Sequence, residues 1–329
     1  MKRMITLLAA LALIITAFSG CAQSSNESGK VRLVLDWAPN TNHTGFYVAQ
    51  AKGYYEEVGL EVEIQQPPES GAVTLLAAGN AEYAITFQEE MGPAIAKNDP
   101  LPIHAVAAII NHNTSGIVSL KESGITSPKD LMGKRLSAWE SPLVSGIVGT
   151  IVENDGGDFS QVEVVSSTVT DVVSALQADI DAVWIYYAWD GIATQVAGLD
   201  TNYFSFGEAD GLFDFYTPVL AVNDSYAERS PEEVDKFMAA TAKGFQYAME
   251  NPEEAAAILV EQVPELDGEM VLASQIWLAD QYQSDAPYWG YIDEARWKNF
   301  YDWMYEQKLL ENPLGEKGFT NQHLPGAKG

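Results

Sequence analysis

The sequence predicts an α/β protein in two lobes, each a mostly parallel sheet flanked by helices. Three observations carry that expectation. Strand-like and helix-like stretches alternate through residues 31–223, polar or aromatic loops recur where a strand gives way to a helix, and the pattern is helical from Ser230 onward.

The first segment sets the plan. Residues 31–35 (VRLVL) alternate apolar side chains as a strand does, then run into a loop at 36–45 rich in Asn and Thr. Residues 46–52 recover helical spacing before Gly53. Open α/β sheets bind ligands at the carboxyl ends of their strands, which makes Asp36, Trp37, Asn40 and His43 candidate contacts. A solvated loop anchored by one Trp has the same composition, so both readings stand at this point.

Residues 60–65 (LEVEIQ) form a strand with one wet face, 70–79 a helix between Ser70 and Gly79, and 81–87 a third strand. This order implies parallel strands joined by helical crossovers. Gln88, Glu89 and Glu90 open a helix over 91–97, where acid in the first turn favours the helix dipole whether or not it also meets a ligand. Two further strands, 102–108 and 116–120, flank a polar turn at 111–114.

At 127–136 the texture changes to a capped turn, a glycine and a basic pair entering a strand. The crossing to the second lobe is placed there, so lobe 1 comprises 31–126 and 217–329, and lobe 2 comprises 127–216. Lobe 2 repeats the opening layout: strand 135–138, a loop with Trp139 and Glu140, then helix 144–152. Strand 162–166 and helix 171–178 lead to a buried strand at 182–185, followed at once by Tyr186, Tyr187, Trp189 and Asp190. Three rings in four residues cannot all enter one core. Strands 203–206 and 217–223 flank an aromatic turn, and 214–218 is the return crossing. Helices are expected over 230–250, 251–262, 269–283 and 293–307, then a frayed tail at 315–329.

Charge and cysteine narrow the function. With 18 Lys and Arg against 46 Asp and Glu, the net charge is -28, which excludes nucleic acid and opposes adsorption to anionic lipid. A basic start at Lys2 and Arg3, an apolar run over 6–17 and small residues before Cys21 resemble a bacterial lipoprotein leader. Residues 1–20 are then a signal peptide, Cys21 the lipidated residue and 21–30 a tether, which places the folded part outside the cytoplasm on a lipid anchor. Cys21 is the only cysteine, so no internal disulfide forms. The four histidines are scattered and no phosphate loop or nucleophile elbow is found, so neither a metal nor a cofactor is expected. The candidate loops offer rings (Trp37, Tyr186, Tyr187, Trp189), hydrogen-bonding groups (Asn40, His43) and carboxylates (Asp36, Glu89, Glu90, Glu140), but no arginine. That set suits a flat, neutral to weakly basic molecule and counts against an anion.

The phrases DWAPNTNHTG, SGITSPKDLMGKRL and DAVWIYYAWD resemble the NMT1/THI5-like family of substrate-binding lipoproteins. The resemblance implies a type II periplasmic-binding-protein-like fold crossed twice by the chain, with solute in the cleft. It implies a monomeric receptor working with the permease and ATPase of an ABC importer. The implied ligand is the thiamine precursor N-formyl-4-amino-5-aminomethyl-2-methylpyrimidine or a hydroxymethyl or aminomethyl relative. Phe87, Glu90 and Tyr216 join the expected binding residues on the same ground. Another branch of the family consists of pyrimidine synthases, with a lysine that holds pyridoxal phosphate, a histidine consumed as substrate and a CCCFC run. Thr86, Glu90 and residues 212–216 (LFDFY) stand at those positions here, so an enzyme is not expected. The alternative ligands are another flat heterocycle such as riboflavin, or an aliphatic sulfonate or nitrile-type solute.

Overall fold

The computed structural model describes residues 29–167 and 169–328. The leader, Cys21 and most of the tether lie outside the described residues. No described helix is long and apolar enough to cross a membrane.

Among the described residues, ten strands form two five-stranded sheets of identical plan. They are β1 (Lys30–Val34), β2 (Glu61–Gln65), β3 (Tyr83–Thr86), β4 (Ile103–Ala108), β5 (Ser115–Leu120), β6 (Arg135–Ala138), β7 (Glu163–Ser166), β8 (Ala182–Tyr186), β9 (Thr201–Ser205) and β10 (Val219–Asn223). The first sheet runs β2-β1-β3-β10-β4 and the second β7-β6-β8-β5-β9. In each, one strand is antiparallel to both neighbours, β10 between β3 and β4, and β5 between β8 and β9. These two strands are where the chain enters the second lobe and re-enters the first.

The first crossing therefore falls at residues 109–114, upstream of the expected position at Ser127. Alternation along β5 marks a strand but not its sheet, and its pairing from Ser115↔Tyr186 to Ser119↔Ala182 puts it in lobe 2. The return crossing precedes β10, and the segments 109–114 and 206–218 are stitched together. The Ile109 N–H donates to Pro218 O at 3.0 Å, and Asn113 Nδ2 donates to Phe213 O at 2.7 Å.

Strand alternation sorts the cores. Val31, Leu33 and Leu35 point to one face of the first sheet, with Phe46, Tyr83, Phe237 and Phe245, while Val34 points to the other. In β8, Val183 and Ile185 join Val172 and Leu176, whereas Trp184 faces a larger core. That larger core is continuous between the lobes, because helix Glu294–Glu306 inserts Trp297, Phe300, Tyr301 and Trp303 between them.

Helix Thr44–Ala51 lies against helix Pro231–Glu250 at glycine contacts. A Cβ on Gly244 would sit 2.1 Å from Gly45 O, and one on Gly45 would sit 2.3 Å from the Phe245 ring. Overpacking of this kind costs about 1–3 kcal/mol, so Gly244→Ala should lower the unfolding free energy by that amount, read as a lower urea midpoint with an unchanged slope. A variant as stable as the wild type would show that the helices can move apart freely.

The expected frayed tail is docked instead. Ala105 N–H donates to Gly318 O and Thr320 N–H to Ala105 O, both at 2.9 Å, and Leu324 is fully buried. Polar and glycine-rich composition hid two apolar anchors, Phe319 and Leu324, that complete the edge beside β4.

Candidate ligand-binding site

In both sheets the strand order reverses between two parallel strands, β1 and β3 in one and β6 and β8 in the other. Loops leaving the carboxyl ends of such a pair diverge and open a crevice. The loops concerned are Asp36–Asn40 after β1, Phe87–Glu90 after β3, Trp139–Ser141 after β6 and the turn after β8. The two crevices face one another: Phe87 of the first lobe and Tyr186 of the second lie with ring centroids 6.1 Å apart and planes 16° from parallel.

Tyr186 lies at the centre of the candidate site. Burial pushes its phenol well up, and the nearby charges of Glu89, Asp36 and Asp190 add to this. Thr217 lies beside the phenol, at the start of the returning strand.

Glu89 occupies the second position of helix Gln88–Ile95 and is 8% exposed. Its carboxyl is pushed up to about 8, first by burial and further by the charge of Glu90, while the backbone N–H of its own residue opposes the shift. Its Oε2 has no hydrogen-bond partner, and neither does Thr217 Oγ1 in good geometry. Buried polar atoms are almost always paired, so the unpaired Glu89 oxygen near the phenol makes this a candidate position for a ligand. Gln88 fixes the helix start: its Oε1 accepts the Tyr216 N–H at 2.8 Å, and its Nε2 donates to Trp297 O at 3.0 Å.

Asp190 belongs to a single π-turn, Tyr187–Gly191, that directly follows β8. The extra residue in such a turn redirects the side chains after it, a device frequent at functional sites. Asp190 is half-buried, its carboxyl is pushed up to about 6 by burial, and the Tyr186 N–H approaches it at 3.4 Å.

Asp36 is held from below. Asn40 N–H donates to His43 Nδ1 at 3.1 Å, which leaves the ring proton on Nε2 to be donated to Asp36 Oδ1 at 2.6 Å. His43 is fully buried with both nitrogens engaged, and the Asn40 side chain caps the turn Thr41–His43. Both were expected to contact ligand. They position Asp36 instead, because the Asn- and Thr-rich loop uses its polar atoms to close its own turn.

The other expected residues divide. Trp37 is 58% exposed at the rim, and Glu140 is exposed beyond β6. Glu90 is exposed, shares an outward stripe with Pro93 and Lys97, and accepts the Thr86 hydroxyl at 2.7 Å. Tyr187 packs on Tyr203 and Trp277, at 4.5 and 5.1 Å between centroids, and its hydroxyl accepts from Gln195. Trp189 packs against the first lobe near Tyr47, Leu259 and Val271. Tyr216 is fully buried, with Arg296 over its ring and its hydroxyl taking the Asp293 N–H at 2.7 Å. Tyr187, Trp189 and Tyr216 are thus committed to packing, since a cluster of rings at a strand end serves the interlobe core before it serves a cleft. Glu89 and Asp190, together with Thr217, lie near Tyr186 at the candidate site.

Three known proteins frame this geometry. The formylaminopyrimidine-binding protein of Halalkalibacterium halodurans is 28% identical over 97% of this chain and 98% of its own length. The 4-amino-5-hydroxymethyl-2-methylpyrimidine phosphate synthase of Legionella pneumophila is 26% identical over 74% of this chain and 77% of its own. The crystal structure of the periplasmic aliphatic sulphonate binding protein SsuA from Escherichia coli superposes with a TM-score of 0.66 at 15% identity, covering 86% of this chain and 94% of that one, which shows the same two-lobe type II fold. Residues 40–255 match the family described as NMT1/THI5 like, and the chain belongs to that family.

Proposed function

We propose that the chain is the extracytoplasmic receptor of an ABC importer, anchored through Cys21, and that it binds N-formyl-4-amino-5-aminomethyl-2-methylpyrimidine between its lobes. It would act as a monomer and deliver ligand to a permease and ATPase. The observation that carries this reading is Glu89: a buried carboxyl with one unpaired oxygen, near an aromatic side chain and further acids.

An aminopyrimidine presents a ring nitrogen next to an exocyclic amine, one acceptor beside one donor. A carboxyl that keeps its proton to about pH 8 offers the complementary pair, O–H to the ring nitrogen and C=O from the amine. Moving that proton to the ring gives a charge-assisted pair of the same geometry. Tyr186 and Phe87 supply π-faces, and base–aromatic stacking is worth about 1–3 kcal/mol per base. A ring held between them needs about 7 Å, two carbon contacts of about 3.5 Å, so a small opening of the lobes admits it.

An anionic solute would meet Asp36, Glu89 and Asp190 with no countercharge among them, which disfavours a sulfonate. The synthase alternative would need an amine and an imidazole where a hydroxyl–carboxylate pair, Thr86 and Glu90, stands. Titration calorimetry with the formylated pyrimidine, its deformylated amine, riboflavin and an alkanesulfonate tests the reading. Heat with a pyrimidine at micromolar affinity or better is expected, and none with the sulfonate. Absence of heat with both pyrimidines would overturn it.

A further inference from the structure

Both interlobe connections meet at one side chain outside the cleft. His112 lies in the outgoing connection, Asp214 in the returning one, and Asp285 in the first-lobe segment between helices Gly268–Ala279 and Glu294–Glu306. His112 Nδ1 is 2.6 Å from Asp214 Oδ2, and Nε2 is 2.9 Å from Asp285 Oδ1. A neutral imidazole carries one N–H and can satisfy only one of these acceptors. Two carboxylates, one at each ring nitrogen, are satisfied together only by the imidazolium.

The surroundings are built to hold that arrangement. Asp214 Oδ1 accepts the Asn113 N–H at 2.8 Å, and Asp285 Oδ1 accepts Asn111 Nδ2 at 2.7 Å. Arg296 lies 3.5 Å from Asp214 and donates to Asn111 O at 2.6 Å. The charged groups facing His112 are therefore Asp214, Asp285 and Arg296, two acids and one base, which the imidazolium balances. The Asp214 bond raises the pKa of His112 above its ordinary value, with burial opposing, and the Asp285 bond adds to the rise against the Arg296 charge.

We propose that His112 is a proton-controlled hinge clamp whose imidazolium ties both connections to the first lobe and holds the lobes in the arrangement seen here. Loss of the proton leaves one ring nitrogen as a lone pair facing a carboxylate. One of the two ties then breaks, and the lobes separate more readily as pH rises. The role rests on the receptor reading, in which lobe closure captures the ligand; the clamp itself is tested without ligand.

The test uses the full chain carrying Cys21→Ser, with spin labels on Glu253→Cys in the first lobe and Glu153→Cys in the second, both exposed positions. Interlobe distances are measured by pulsed dipolar spectroscopy from pH 5 to 9. The expected result is a shift from shorter to longer distances as pH rises, with its midpoint above 6.5, the ordinary value for histidine. With Glu89→Gln and Asp190→Asn also in place, so that the cleft carboxyls do not titrate, the shift should persist with His112 present and be lost in His112→Gln, and in Asp285→Asn its midpoint should fall. Wild-type distances that do not respond to pH, or a response that survives unchanged in either variant, would overturn the proposal. Failure of ligand binding would leave this result intact, and failure here would leave the pyrimidine reading intact.

Discussion

Replacing Glu89 by glutamine should weaken ligand binding while making the ligand-free protein more stable in alkali. The sign follows from proton linkage. The folded carboxyl holds its proton to about pH 8, whereas an unfolded one releases it near the ordinary value of 4.5. Between those values the folded state binds more protons, so stability falls as pH rises through the window, and the full cost of the buried charge is reached above 8. A shift of this size corresponds to a few kcal/mol, on the order of 3–5. Glutamine keeps the shape without the charge. Glu89→Gln should therefore melt roughly 5 °C or more above the wild type at pH 9 and level with it at pH 4, read by calorimetric scans. Its affinity for the formylated pyrimidine should fall about 10- to 100-fold at pH 7, the worth of one charge-assisted bond. Wild-type affinity should also decline towards tenfold per pH unit above 8, and that decline should vanish in the variant. Equal melting at pH 9 would show that Glu89 is not strained, and unchanged affinity would remove it from the site.

Tyr186→Ala should cost the most affinity of any single truncation of a ring, about 50-fold or more. It removes a stacking face and the aromatic body that lies near Glu89 and Asp190. Tyr186→Phe should retain most of the binding, because the phenol donates no bond that the ring's packing needs. Trp37→Ala, at the exposed rim, should cost about tenfold. Equal losses for Tyr186→Ala and Trp37→Ala would argue that the ligand sits at the rim and not against Tyr186. Titration calorimetry on the three variants decides this.

Much of the framework was legible in the sequence because strands and helices advertise themselves by period. The alternation at β1, the apolar β8 and the Pro-initiated helix Pro231–Glu250 all occupy the expected positions. Sheet membership was not legible: β5 alternates equally well in either sheet, and pairing with β8 and β9 decides. The adjacent acids Glu89 and Glu90 show the same limit at the site. A signal did exist there, since Glu90, Pro93 and Lys97 recur at helical spacing as a solvent stripe, which turns Glu89 inward with Met91 and Gly92. The roles of His43 and Asn40 were hidden because a polar loop closing its own turn has the composition of a polar loop awaiting a ligand. The π-turn that delivers Asp190 has no periodic signature, and the apolar anchors of the C-terminal segment were masked by glycine and polar neighbours.

The central claim is that the buried carboxyl of Glu89 and the ring nitrogen of the ligand share one proton. Calorimetry of the formylated pyrimidine at pH 9, in buffers of different ionisation enthalpy, counts the protons taken up on binding. Glu89 with its pKa near 8 is largely ionised there in the free protein, so the wild type should take up close to one proton per ligand bound and Glu89→Gln none. Binding without proton uptake, or with the same uptake in the variant, would contradict the account.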